Sequence, residues 1–159
     1  MWNWLWSNPV GQVFMTLFIS MVPVIELRGA IPVATAAGMN FWAAILVSIV
    51  GNLIPVPFII IFLKKLFAWL RRISPKLDYL VSKLEKRAEK KSESVRKYAF
   101  WGLFILVAIP LPGTGAWTGA MVAAILDMPL KKAFPAIALG VLGAAAIVSF
   151  VTFGVGAAL

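Results

Sequence analysis

Between Val10 and Leu63 the chain carries two charged residues, Glu26 and Arg28. They sit two positions apart in the run Ile25-Glu26-Leu27-Arg28-Gly29-Ala30-Ile31-Pro32. An apolar stretch of that length is buried either in a membrane or in a large core. In both settings an ionisable side chain is costly unless it is paired or used. A Gly and a Pro beside the pair point to an irregular backbone there, so Glu26 and Arg28 are the first candidates for function.

The rest of the chain decides between membrane and core. Its 159 residues are 62% hydrophobic, with a mean hydropathy of +0.94. A soluble domain runs at about 45–50%. The chain therefore reads as an integral membrane protein with one membrane domain over residues 1–159. Residues Met1 to Ser7 contain no Lys or Arg, unlike the basic start of a signal peptide. Trp2, Trp4 and Trp6 read as interfacial anchors. The absence of Cys and His removes thiol nucleophiles, Cys/His zinc sites, His general bases and disulfides. No enzyme constellation, metal site or cofactor is expected.

The net charge of +9 is concentrated in one block. Twelve Lys/Arg and four Asp/Glu lie between Lys64 and Lys97. A basic block flanked by apolar segments is what the positive-inside rule produces, so it is expected on the cytoplasmic side of the inner membrane. Contact with anionic headgroups fits it; a nucleic-acid partner does not. Within it, Ser74-Pro75 reads as a helix start. Leu77, Leu80, Val81, Leu84, Ala88 and Val95 recur at helical spacing, giving a basic amphipathic connector over residues 64–98. Glu93 and Lys97 form a favourable i,i+4 pair on it.

Four apolar regions flank the block. The first, Val10 to Gly38, is too long for one span and too short for two, at roughly 20 residues per span. Pro23, Gly29 and Pro32 break it, so it reads as a re-entrant helical hairpin. The second, Phe41 to Leu63, reads as one full span kinked near Asn52, Pro55 and Pro57. The third, Phe100 to Leu126, repeats the hairpin layout. Its break is Ile109-Pro110-Leu111-Pro112-Gly113-Thr114-Gly115-Ala116-Trp117, and Asp127 and Pro129 mark its return to the interface. The fourth, Phe134 to about Val155, is a full span with a small-residue face at Gly140, Gly143 and Ala144. Pro23 and Asn40 precede Pro110 and Asp127 by 87 residues, which also pairs Ala36 with Ala123 and Ala37 with Ala124. Lys131 and Lys132 place the base of the second hairpin on the cytoplasmic side. The expected fold class is all-α, with two inverted-topology halves. Each half is a re-entrant hairpin and one transmembrane span (residues 1–63 and 99–159), as in transporters that bind substrate at broken midplane elements.

Three uses of the charged pair compete. In one, Glu26 exchanges protons and Arg28 binds an anionic group through its planar fork. In the second, Glu26 binds a cationic amphiphile and Arg28 gates it. In the third, both clamp the hairpin tips. The second tip offers the backbone of Pro112, Gly113, Thr114 and Gly115, which suits an anion. Trp117 and Thr118 could line a pocket, and Asn52 could bridge helices or join the site. The candidate substrate- or ion-binding residues are therefore Glu26, Arg28, Gly29, Pro32, Asn52, Pro112, Gly113, Thr114, Gly115 and Trp117.

The strings from Pro23 to Pro32 and from Pro110 to Gly119 resemble the small multidrug export family over most of the chain. More remotely they resemble the DedA/VTT superfamily of membrane transporters. The resemblance implies opposed re-entrant hairpins and a carrier or lipid flippase, including polyprenyl phosphate as a substrate class. Glu26 and Arg28 match the acidic and basic tip residues of the superfamily. The second tip departs from the DedA pattern in carrying no Arg. The function expected is a small secondary transporter, proton-coupled, for an amphipathic or anionic lipid-like substrate. The alternatives are an exporter of small cationic or amphipathic drugs, or a membrane scaffold that docks through the basic helix. The expected partners are membrane lipids, the substrate, protons or another coupling ion, and a second copy in a homodimer, since few spans are available to seal broken elements.

Overall fold

A computed structural model describes residues 7–73, 79, 82–83, 92–111 and 113–158. Trp2, Trp4, Trp6, the Ser74-Pro75 helix start, most of the basic amphipathic stretch and Pro112 lie outside those residues. The described secondary structure is helical, with no strand among the described residues.

Helix α1, Pro9–Met21, starts with Pro at its first position and the Asn8 side chain accepting from the Val10 N–H at 3.1 Å. It stops because Pro23 forces the residue before it to be extended, and Val22 has φ −72° and ψ 128°. After a short turn, α2 runs Glu26–Ala36. Glu26 itself has φ +50°, a left-handed conformation that a side chain adopts only under constraint. The break in the first hairpin is thus confined to residues 22–25. Gly29 and Pro32, expected to share in it, lie inside α2. Gly29 is used for close packing instead of turning: a Cβ there would overlap the Ile25 side chain. Pro32 removes only the helical bond to the Arg28 carbonyl.

Helix α3, Phe41–Leu53, is capped by Asn40 Oδ1, which accepts from the Trp42 and Ala43 N–H groups at 3.0 and 3.3 Å. Helix α4, Pro55–Ile73, follows after one residue, so the expected kink falls at Ile54. The helix continues past Lys64, where the sequence pattern ended the span. Helix α5, Ser92–Ala108, leads to the second tip, residues 109–115. Helix α6, Ala116–Ile125, returns from it, and α7, Leu130–Ala158, is the last long helix. Phe41–Trp69 and Leu130–Gly154 are long and apolar enough to cross a membrane.

Each hairpin packs on the long helix that follows it: α1 and α2 on α3, and α5 and α6 on α7. The two groups meet through α2 and α3 against α7, and α4 against α6. Close approach is bought with glycine at matching places. A Cβ on Gly51 would fall 2.8 Å from the Leu17 carbonyl oxygen. One on Gly140 would fall 2.9 Å from the Phe104 carbonyl oxygen and 2.6 Å from Val107 Cβ. The hairpins also end in the same turn. Met39 N–H donates to the Ala34 carbonyl and Gly38 N–H to Thr35; Met128 N–H donates to Ala123 and Asp127 N–H to Ala124. Gly38 and Asp127, both left-handed at φ +86° and +49°, are the C-terminal stops.

These pairs correct the 87-residue offset. It holds in the first arms, Leu17 with Phe104. Beyond the tips it becomes 89, with Ala34 matching Ala123 and Gly51 matching Gly140. The second half has two more residues between its matched positions, so Asp127 corresponds to Gly38 rather than to Asn40.

The contacts fix where each hairpin points. Phe41, at the base of the first hairpin, packs its ring 6.0 Å from that of Phe153 near the end of α7. Lys64 Nζ on α4 lies 2.8 Å from the carboxylate of Asp127 at the base of the second. The path α3–α4 therefore runs from the first base to the second, about 35 Å at 1.5 Å per residue. Helix α7 runs back. The two tips meet between them.

Candidate functional site

The site lies where the tips meet. Helix α6 begins at Gly115, which has no side chain with which to cap it, so the first N–H groups of α6 need an outside acceptor. Glu26 supplies it from the other half: its Oε1 accepts from the Trp117 N–H at 3.2 Å. The Ala116 N–H and the Asn52 side chain also act on this carboxylate. Glu26 is 3% exposed. The carboxylate fills the space over Gly115, where a Cβ would overlap it, and Gly115 also needs its φ of +136°. Glycine at 115 thus serves both the backbone turn and the fit of Glu26.

Arg28, two residues on, reaches the other side of the same tip. Its Nη1 donates to the Leu111 carbonyl. Its Nη2 donates to the Thr114 carbonyl at 2.6 Å and approaches Thr114 Oγ1 at 3.0 Å. A fork with two separate donors suits carbonyls that point inward from a turn. Thr114 Oγ1 holds that turn closed by donating to the Ile109 or the Leu111 carbonyl, 2.8 Å from each, and accepting from the Leu111 N–H. Thr118 Oγ1 donates to the Gly113 carbonyl at 2.9 Å, so it braces the tip rather than lining a pocket. Trp117 Nε1 donates to the Met21 carbonyl at 3.0 Å, tying the start of α6 to the end of α1.

The structure thus gathers Glu26, Arg28, Asn52, Gly113, Thr114, Gly115 and Trp117. Gly29 and Pro32 lie farther along α2, and neither shares in the hydrogen bonds between the tips. Glu26 and Arg28 form no ion pair with each other; each engages the second tip. The acceptors that the sequence reading missed are the backbone carbonyls of Leu111 and Met21, which no residue type announces. The Lys64–Asp127 pair was missed as well.

Two features leave room for a ligand. Arg28 Nε is buried and has no partner. Beside Trp117 a groove of about 570 Å³ opens on the outer surface of α4, lined by Phe58, Phe62 and Lys65. That size is ordinary for a small-molecule site.

No curated protein and no solved structure matches the chain. A family model described as "Putative small multi-drug export protein" matches residues 26–147. The match begins at Glu26 and takes in both Glu26 and Arg28 and the second tip that they engage, the first long apolar helix, the larger part of the second and most of the chain. This is a membrane protein, and it belongs to the small multi-drug export family.

Proposed function

We propose that the protein is a secondary membrane transporter that exports amphipathic molecules, with the tip-to-tip contact as its gate. The observation that carries this is the pairing of a buried acid and a half-buried base, each bonded across to the opposite hairpin. Intramembrane charge is expensive and is kept for function by default. Here it holds two broken elements together at polar bonds that can be exchanged for a substrate's. The clamp and the transport readings are then one device: the bonds that close the gate are those a ligand must replace.

In this reading the halves are an inverted repeat and both hairpins are re-entrant. The base at Asp127 and the residues from Lys64 to Lys97 face the cytoplasm across the inner membrane. The bases at opposite ends of α3–α4, about one bilayer core apart, support it. A homodimer shields the short hairpins from lipid.

For the substrate, the unpartnered Arg28 Nε and Lys65 at the groove favour an anionic head on an apolar body, which covers a lipid-like phosphate. The drug-export reading rests on the family name and on Glu26, which would take a cationic head. Proton exchange at Glu26 supplies the coupling in either case.

Proteoliposomes holding the full chain separate these readings. We expect uptake of a fluorescent acyl phosphate in preference to ethidium. Glu26→Gln should stop it while leaving the fold intact, since the amide oxygen can still accept from Trp117 N–H. Transport retained in both Glu26→Gln and Arg28→Ala makes the contact a structural clamp.

A further inference from the structure

The two halves share a backbone but not a core. Among the described residues, the fully buried polar residues are Thr16, Ser20, Glu26, Ser48 and Asn52, all in the first half; in the second half Ser149 is half-buried, with its Oγ enclosed and without a partner. With the offsets of 87 in the first arm and 89 beyond the tip, their counterparts are Leu103, Val107, Gly115, Ile137 and Val141. All of these are buried, and none carries a polar side chain. The second half shows that this packing can be filled with apolar groups. The first half places oxygen at each of the same positions.

Thr16 and Ser20 are satisfied within α1, donating to the carbonyls of Gln12 and Leu17. Ser48 and Asn52 are not. They stand one turn apart on α3, on one face. They are 0% and 1% exposed, and Ser48 Oγ and Asn52 Oδ1 have no hydrogen-bond partner. Buried orphan oxygens are rare, and ordered water is their usual partner. Asn52 acts directly on the Glu26 carboxylate, and the one charged side chain described as acting there is Arg28.

We propose that Ser48 and Asn52 form a hydrated route through the core of the first half that carries protons to Glu26. A hydronium ion on this route gives its proton to Glu26 Oε2, the oxygen not bonded to Trp117. Water is left behind, and the carboxylate becomes a carboxylic acid. A neutral carboxyl is a poorer acceptor for the Trp117 N–H, so proton arrival loosens the contact between the tips. The proposal rests on the transport reading and names the source of its coupling.

The chain has no cysteine, so single thiols report hydration without background. Ser48→Cys is nearly isosteric, and Ile137→Cys is its counterpart in the apolar half. With a small water-soluble methanethiosulfonate, Ser48→Cys should react at least about tenfold faster, because burial in apolar surroundings suppresses the thiolate. Asn52→Val, the counterpart residue, should slow Ser48→Cys to the rate of Ile137→Cys. Equal rates at the two positions, fast or slow, overturn the route. Dicyclohexylcarbodiimide, which modifies protonated carboxyls in apolar sites, should label Glu26 less as pH rises and regardless of sodium. Protection by sodium at fixed pH, or no labelling at any pH, overturns the proton assignment. Neither readout uses transport, so a dry route with active export, or a wet route without it, tells the two proposals apart.

Discussion

Arg28 donates through both terminal nitrogens to carbonyls of a turn more than eighty residues away, and that geometry fixes what can replace it. Lysine keeps the charge but presents a single ammonium on a flexible stem, which cannot meet Leu111 and Thr114 in the fixed directions of a guanidinium. Arg28→Lys should lower the stability of the folded protein in detergent by about 1.5–3 kcal/mol, the range for hydrogen bonds to a charged group. Thr114→Val should cost less, about 1 kcal/mol, since it removes one hydroxyl and spares the carbonyls. Thermal unfolding of the two variants checks the order. If Arg28→Lys unfolds with the parent, the guanidinium is not holding the tips. Glu26 and Arg28 stood out in the sequence because charge inside an apolar run needs a reason. Their partners did not, because every residue carries a carbonyl and only the fold says which ones turn inward.

At the scale of elements, the proline and glycine punctuation placed both hairpins. Pro23 stops α1 by constraining Val22, and Gly113 and Gly115 turn the second tip through positive φ. The same signals misled at Gly29 and Pro32, because a glycine needed for close packing and one needed for a turn look alike in a sequence. The register of the two halves was hidden for a different reason. A comparison at one fixed offset cannot follow the two extra residues that the second half carries between its matched positions. The contacts of Gly51 and Gly140 restore it, and they are testable. Gly140→Ala forces its methyl against Val107 and the Phe104 backbone, an overpacking that costs about 1–3 kcal/mol. Gly102 on α5 has nothing near its Cβ direction, so Gly102→Ala should gain up to about 1 kcal/mol of helix propensity. Opposite shifts in melting temperature are expected; a shared sign would mean that α5 and α7 are not packed as described.

For the whole molecule, the decisive question is whether the two hairpin bases lie on opposite sides of the membrane. Helix α3 starts at the first base and α4 passes the second, where Lys64 meets Asp127. Helix α7 makes the return journey to Phe41. A path of about 35 Å matches a hydrocarbon core of about 30 Å with its margins. Lys64 on α4 and Lys131 and Lys132 at the start of α7 lie at the second base, the end that the charge rule gives to the cytoplasm in the orientation proposed above. Ser7 lies before α1, near the other base through the Gln12 Nε2 bond to the Ala37 carbonyl. Single cysteines at Ser7 and Lys131, in a chain with none of its own, should be labelled from opposite faces of intact cells by a reagent that cannot cross the bilayer. Ser7→Cys should react from outside, and Lys131→Cys only after the cells are opened. Labelling of both from one side would remove the opposed hairpins, and with them the gate at their meeting point.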